Sequence, residues 1–142
     1  MMVNRITPSQ NIYISESKID NAGLGVFAAR NIKMGEIIEN CPIILLDEPD
    51  IIEIRKTRLH NYYFMWGVDE RYHKGAICLG FGSIYNHSYS PNATYRKVFK
   101  DDKIEFIAIK NIGSDEEITA NYNHGKPDDK TRLWIEEIPP AE

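Results

Sequence analysis

Short alternating runs of apolar and polar residues dominate the sequence and predict a mainly β fold with short helices. Strands are predicted over residues 12–15, 25–28, 37–38, 43–46 and 118–122. The clearest hairpin joins residues 94–99 to residues 104–109 through a turn that contains Asp101 and Asp102. Pro42 separates two of the apolar runs. Because proline cannot donate to a strand ladder, we expect an edge strand or a break there.

Two segments have the features of helices. Residues 49–59 combine Pro49, which suits the first turn of a helix, with a rough apolar stripe of isoleucines and a leucine. Residues 128–137 begin with Asp128 and Asp129, either of which can act as an N-cap, and continue with apolar side chains. A final helix is therefore expected at the C-terminal end of the sequence.

Residues 27–32 and residues 107–112 have similar sequences, and each segment is followed by a glutamate and an isoleucine. Two strand–turn–strand units that use the same turn chemistry explain this similarity better than a duplication does. The pattern indicates many short strands with tight turns, in place of βαβ units.

Length and composition predict one domain over residues 1–142. The net charge of −4 argues against a general nucleic-acid-binding surface. Cys41 and Cys78 are too far apart for a CxxC pair, so no metal site is expected and both thiols are expected to be reduced. Neither a signal-peptide core nor an apolar run of about 18–20 residues is found, which predicts a soluble intracellular protein without a membrane partner.

Three motifs carry candidate chemistry, and each alone has an ordinary structural interpretation. Residues 23–28 match G-x-G-x-x-A, but no helical period follows, so a glycine turn is favoured over a dinucleotide-binding loop. Residues 86–92 form a dense polar run that also fits a surface turn, two glycosylation sequons or a structural histidine. Residues 116–122 predict a strand whose two adjacent glutamates point to opposite faces, which argues against a two-carboxylate glycosidase site.

The order of these motifs is more specific than any one of them. G-x-G-V-F-A, then N-H-S-x-x-P-N, then E-E-I-x-x-x-Y resembles the SET-domain protein-lysine methyltransferase family, in the minimal form of viruses and bacteria without cysteine-rich flanks. The resemblance covers about residues 12–134, and it implies a domain core at about 12–125 with a C-terminal cap segment at about 126–142. It implies a β-clip-like fold of small sheets with a C-terminal pseudoknot, and it implies S-adenosylmethionine as the cofactor.

The resemblance also implies roles for individual residues. Tyr122 matches the tyrosine at the methyl-transfer centre. The residues implied to bind the cofactor are Gly23, Leu24, Gly25, Asn86 and His87, and Trp134 is assigned to cover it in place of a zinc-binding cap. For Trp134, packing of a terminal helix onto the core is the alternative. The residues implied to form the substrate channel are Tyr63, Phe64, Tyr85 and Ala120, with Tyr62 and Trp66 as further aromatic candidates.

For Tyr63 and Phe64, core packing is an equal alternative. Ala120 stands where relatives often have an aromatic residue, which predicts room for more than one methyl group.

Methyl transfer to lysine requires the neutral amine, and neutralising a free lysine at pH 7 costs roughly 4.6 kcal/mol. An apolar aromatic channel lowers this cost. The expected partner is a lysine-containing protein or peptide, while a homodimer and either a cytoplasmic or a host-nuclear location remain compatible with the sequence. The alternative function is a catalytically inactive SET-like module that binds peptides, and a nicotinamide enzyme is a distant third.

Overall fold

The computed structural model describes residues 5–67, 74–123 and 126–131. Within these ranges nine strands form two sheets. The strands are β1 (Ile12–Glu16), β2 (Leu24–Ala28), β3 (Ile37–Leu46), β4 (Phe64–Trp66), β5 (Lys74–Cys78), β6 (Asn86–His87), β7 (Ala93–Val98), β8 (Lys103–Ala108) and β9 (Glu117–Ala120). The described helices are α1 (Glu48–Ile54) and the 3₁₀ helices Arg58–Asn61 and Phe99–Asp101. The prediction of a mainly β fold with small sheets and short helices is confirmed.

The first sheet has the strand order β1-β2-β9-β6. β1, β2 and β9 pair antiparallel, whereas β6 lies parallel to β9. After β9 the chain returns across the segment that follows β6. There the Tyr89 hydroxyl donates to the Thr131 carbonyl at 3.0 Å, and Lys130 Nζ donates to the Tyr89 carbonyl at 2.5 Å. This crossing is the expected C-terminal pseudoknot, and it brings Tyr122 next to β6.

The second sheet has the strand order β4-β5-β3-β8-β7. The predicted hairpin is formed by β7 and β8, and its turn includes Asp102 in the left-handed region at φ 47°. β3 runs without interruption through Pro42, so the expected edge strand or break is wrong. Its residues up to Pro42 pair with β8, and residues 43–46 pair with β5. The proline therefore lies where the strand changes partner, and its missing N–H costs little there.

The predicted helix over residues 49–59 is shorter than expected. α1 begins after Asp47 with Pro49 in its first turn, and the Asp47 N–H donates to the Asp50 carboxylate at 3.2 Å. Thr57 is extended, and its hydroxyl accepts the Leu59 N–H at 3.2 Å. This cap starts a separate 3₁₀ helix, because a side chain that accepts a backbone N–H favours a new helical turn over continuation of the old one.

The C-terminal end of the described chain also differs from the sequence-based prediction. β9 ends at Ala120, two residues before the predicted limit. Residues 126–131 contain no helical residue, although Asp129 Oδ1 accepts the Thr131 N–H at 2.8 Å, as an N-cap does. Most of the predicted helix over residues 128–137 lies outside the described residues.

The two segments of similar sequence pair with each other. Ile32 and Ile112 exchange two backbone hydrogen bonds of 2.8 Å. Asn31 Oδ1 accepts the Ser114 N–H and Asn111 Oδ1 accepts the Met34 N–H, both at 2.9 Å. Each asparagine thus closes the turn of the other segment, which explains why the two turns share their chemistry.

One cluster of buried apolar side chains joins both sheets. It includes Val26 and Ile118 of the first sheet and Ile104 and Phe106 of the second. Trp66 also belongs to this core, where its ring contacts Phe99 edge to face at 5.0 Å between centroids. Across the described ranges no helix is long and apolar enough to span a bilayer.

Candidate active site

A cavity of about 770 Å³ opens between the β1–β2 loop, β4, β7 and the segment around β6. This volume lies within the range of small-molecule and cofactor sites. The predicted site residues that line it are Gly23, Leu24, Tyr63, Phe64, Tyr85, Asn86 and Tyr122. Among the other predicted residues, Gly25, His87 and Ala120 are described but do not line it, and Trp134 lies outside the described residues.

Tyr122 lies two residues after the end of β9, and its hydroxyl donates to the Tyr85 carbonyl at 2.6 Å. Burial raises the pKa of Tyr122, and the neighbouring Tyr62, Tyr95 and Glu117 raise it further. The phenol therefore stays protonated near neutral pH. Because its O–H bond is directed at a backbone carbonyl, its oxygen lone pairs are available to accept a hydrogen bond from a group in the cavity.

Tyr85 contributes its backbone to the cavity, because its ring lies elsewhere. The side chain is 2% exposed and stacks on Phe106 with 4.0 Å between ring centroids. Its hydroxyl donates to Glu39 Oε1 at 2.9 Å. The resemblance implied that the Tyr85 ring lies in the channel wall, but the direction of this side chain is set by packing in the core and is not visible in a local pattern.

Aromatic side chains form one wall of the cavity. Tyr62 is 49% exposed, and Tyr63 and Phe64 follow it in the chain. Phe64 contacts Tyr95 edge to face, with 5.2 Å between ring centroids. Tyr95 was not predicted as a site residue. Alternation along β7 turns Tyr95 and Lys97 to the same face, and both line the cavity, so strand period was the signal that could have found it.

Glycines shape the opposite end of the cavity. Gly23 has φ +76°, a conformation that L-residues with side chains rarely adopt. A Cβ atom on Gly25 would lie 2.5 Å from Glu117 Oε2 and 3.2 Å from Asn86 Nδ2. Gly25 is therefore needed for close packing of β2 against Glu117 and Asn86.

Glu117 connects the two loops that were assigned to the cofactor. Its carboxylate accepts hydrogen bonds from the Ser17 hydroxyl at 2.8 Å, the Lys18 N–H at 3.0 Å and Asn86 Nδ2 at 3.0 Å. Asn86 Nδ2 also donates to the Leu24 carbonyl at 2.9 Å. Both amide hydrogens of Asn86 are thus used, while its Oδ1 accepts no hydrogen bond from the described residues. The sequence placed Glu117 in a motif without indicating this role.

His87 is 1% exposed and supports Tyr122 from behind. Its Nδ1 accepts the Tyr122 N–H at 2.9 Å, so the imidazole proton is assigned to Nε2, which has no hydrogen-bond partner among the described residues. Burial lowers the pKa of His87 to about 4. The ring is therefore neutral at physiological pH, as an acceptor for a backbone N–H must be.

The last asparagine of the N-H-S-x-x-P-N motif has a structural role. Asn92 Nδ2 donates to the Glu117 carbonyl, and Asn92 Oδ1 accepts the Thr119 N–H, both at 2.9 Å. The side chain thus pairs with β9 as an additional strand residue would. This contact fixes the loop that follows β6 against the strand that leads to Tyr122.

Ala120 lies behind the wall of the cavity. It is 1% exposed, pairs with His87 and accepts the Ser88 N–H at 3.1 Å through its carbonyl. The space next to Tyr122 is instead bordered by Tyr62 and Tyr95, which line the cavity.

Comparison with known proteins gives one family match. The family model described as SET domain matches residues 23–123. A histone-lysine N-methyltransferase of Schizosaccharomyces pombe, specific for H3 lysine-37, is 26% identical over 119 residues, which are 83% of this chain and 74% of that protein. Human histone-lysine N-methyltransferase 2D is 28% identical over 131 residues, which are 87% of this chain but 2% of that protein. The chain thus spans only a small part of some curated relatives.

Solved structures have the same fold. The crystal structure of a candidate histone methyltransferase from Plasmodium falciparum is 32% identical, with a TM-score of 0.62 over 84% of this chain and 96% of that chain. An active polycomb repressive complex 2 in the basal state is 24% identical, with a TM-score of 0.66 over 81% of this chain and 15% of that chain. The second likeness concerns the fold alone.

Proposed function

Because the chain belongs to the SET-domain family, we propose that it transfers a methyl group from S-adenosylmethionine to the side-chain amine of a lysine in a protein substrate. The observation that carries this proposal is the position of Tyr122. Its hydroxyl donates to the Tyr85 carbonyl at the cavity, between the Gly23 loop and the aromatic wall. A cofactor and a lysine that enter from these two ends would meet at Tyr122.

The polar groups at the glycine end suit the amino-acid part of S-adenosylmethionine. Asn86 Oδ1 is an acceptor without a partner among the described residues, and an ammonium group supplies donors only. Leu24, which is 56% exposed, offers an apolar surface beside it. When bound, the cofactor supplies an electrophilic methyl group on a sulfonium. We propose that Gly23, Leu24 and Asn86 contact the cofactor, while Gly25 and His87 act by holding the contact residues in place.

Tyr122 orients the nucleophile in this proposal and does not act as a base. Since burial and its neighbours raise its pKa, the phenol stays protonated in the neutral range. Its oxygen can accept an N–H of the lysine amine, which turns the nitrogen lone pair in a defined direction. Alignment of two bound reactants supplies several kcal/mol of rate acceleration without a proton transfer. The lysine must therefore reach Tyr122 as the neutral amine.

The aromatic wall favours the neutral amine. Desolvation raises the energy of an ammonium ion, so an apolar wall lowers the pKa of a bound lysine. We propose Tyr62, Tyr63, Phe64 and Tyr95 as the wall of the lysine channel, with the Tyr85 carbonyl at its end. That Ala120 permits more than one methyl transfer stays a prediction. Tyr62 and Tyr95 border the space where a methylated amine would rotate.

A histone tail is the first substrate to test, because several relatives are named histone-lysine N-methyltransferases. Because histones lie in chromatin, this substrate would place the protein in a nucleus, its own cell's or a host's. Purified protein, methyl-labelled S-adenosylmethionine and core histones should give labelled histone, while Tyr122→Phe should give little. Calorimetry should show cofactor binding that Asn86→Ala weakens. Cofactor binding without any transfer to a broad set of lysine peptides would favour the inactive binding module.

A further inference from the structure

A buried carboxyl group lies behind the cavity wall. Glu39, near the start of β3, is 6% exposed, and its carboxyl group accepts the Phe81 N–H at 3.0 Å and the Tyr85 O–H at 2.9 Å. Among the described residues, no lysine or arginine nitrogen lies within 4 Å of it. A buried carboxyl group without a cation is costly, so its hydrogen bonds must offset that cost. An apolar residue at position 39 would fill the same space without the cost of burying a carboxyl group.

The two hydrogen bonds hold both ends of one short segment. Phe81 and Tyr85 bracket the chain that leads from β5 into β6, and the first residue of β6 is Asn86. The Tyr85 ring is also stacked on Phe106, which is 1% exposed. With its ring stacked and its hydroxyl bonded, Tyr85 has little freedom to rotate. The direction of its carbonyl is fixed as a consequence.

That carbonyl is the acceptor of the Tyr122 hydroxyl at 2.6 Å. A phenol O–H can rotate about its C–O bond, and a displaced carbonyl would release it. The released O–H could then donate to the lone pair of an incoming amine, which is the pair that must attack. The position of the Tyr85 carbonyl therefore decides whether Tyr122 assists the nucleophile or blocks it.

We propose that Glu39 is a positioning residue for methyl transfer, acting through the Tyr85 side chain to keep the Tyr122 hydroxyl turned away from the lysine lone pair. The proposal rests on the proposed function of the cavity. It assigns a task to the hydrogen bond between the Tyr85 and Glu39 side chains, which lies behind the cavity wall.

Tyr85→Phe is the first test, because it removes one oxygen and keeps the ring on Phe106. Glu39→Ala is less suitable, since it leaves the Phe81 N–H unpaired and opens a void. We expect Tyr85→Phe to lower kcat about tenfold, the effect of one hydrogen bond of ordinary net strength, with cofactor Kd unchanged within about twofold. The matched control is Tyr13→Phe, which removes a tyrosine-to-carboxylate bond of 2.8 Å to Asp115 outside the cavity and should leave kcat unchanged.

A double-mutant cycle separates positioning from general loss of stability. In a Tyr122→Phe background no hydroxyl remains to be positioned, so adding Tyr85→Phe should lower the residual single-turnover rate by less than about twofold. A purely structural role would lower it by the same factor as in the wild type. Equal factors in both backgrounds, or an unchanged kcat in Tyr85→Phe, would overturn the proposal.

A second measurement does not depend on turnover. In protein with ¹³C-labelled tyrosine rings, the Tyr122 Cζ signal should shift in Tyr85→Phe and stay in place in Tyr13→Phe, because only the first variant alters the acceptor of its hydroxyl. An unmoved Tyr122 signal in Tyr85→Phe overturns the proposal whether or not methyl transfer is found. A wild-type protein that transfers no methyl while the signal shifts overturns the proposed function and leaves the link through Tyr85 supported.

Discussion

Gly25→Ala tests the arrangement of the glycine loop at a single atom. The new Cβ would lie 2.5 Å from Glu117 Oε2, 3.1 Å from Glu117 Cδ and 3.2 Å from Asn86 Nδ2. Carbon atoms do not approach oxygen this closely, so Glu117 must move. Its carboxylate is held by the Ser17 hydroxyl and the Lys18 N–H, and it also binds Asn86. Movement therefore weakens several hydrogen bonds to a charged group at once.

The expected cost follows from these contacts. Overpacking typically costs 1–3 kcal/mol, and a hydrogen bond to a charged group contributes about 1.5–3 kcal/mol. Partial relaxation of the carboxylate will recover some of this, so we expect Gly25→Ala to lower the free energy of unfolding by about 2–4 kcal/mol. Because Asn86 moves as well, cofactor affinity in the folded variant should fall by about tenfold or more.

Urea denaturation and calorimetry with S-adenosylmethionine measure the two effects. Gly113→Ala is the matched control, since its Cβ would meet no atom within 4 Å and its φ is not in the left-handed region. It should leave cofactor affinity unchanged and should not lower the free energy of unfolding, since such a change stabilises by at most about 1 kcal/mol. A Gly25→Ala protein with wild-type stability and wild-type cofactor affinity would refute the role given to this contact.

Three further predictions concern Tyr122, His87 and the substrate. Tyr122→Phe should lower kcat by a factor of about 10²–10³ in a rapid-quench assay and leave the cofactor Kd unchanged, as for other lost transition-state hydrogen bonds. Near wild-type turnover would show that the Tyr122 hydroxyl takes no part in methyl transfer. Since His87 has a pKa of about 4 in the fold and about 6.5 when unfolded, the unfolded state binds more protons between these values. The contribution of His87 to the free energy of unfolding should therefore be fully present above about pH 6.5 and be lost as the pH falls to 4, by up to about 3 kcal/mol at ~1.36 kcal/mol per pH unit, which urea denaturation at several pH values can check. Finally, kcat/KM should rise with pH from 7 to 9 as the lysine amine loses its proton, without a falling limb from Tyr122, whose pKa is raised; a fall within this range would show that the phenol titrates there.

Local patterns predicted much of the fold because the relevant interactions are local. The hairpin of β7 and β8 depends on alternation and on a turn that accepts a left-handed Asp102. The continuous course of β3 through Pro42 was not predictable, since it depends on the strand changing from β8 to β5 at that residue. The end of α1 was missed because the cap formed by Thr57 competes with helix continuation at short range.

The same contrast between local and long-range interactions holds for the candidate site. Motif order identified the family and led to Tyr122 and Asn86, which line one cavity. Side-chain direction was not accessible in this way. Tyr85 points to Glu39 in the core, and Tyr95 reaches the cavity from a strand whose sequence looks ordinary. The direction of the Tyr85 ring depends on how distant strands pack. Strand alternation places Tyr95 and Lys97 on one face of β7, but only the packed sheets show that this face borders the cavity.

The most direct test of the central claim is to locate the transferred methyl group. A substrate that accepts label from S-adenosylmethionine should be digested and sequenced by tandem mass spectrometry, beside the same substrate with its target lysine replaced by arginine. We predict methylation on the lysine side-chain nitrogen, loss of label in the arginine substrate, and little product with Tyr122→Phe. Label on another residue type, or equal labelling by wild type and Tyr122→Phe, would contradict methyl transfer to lysine at this cavity.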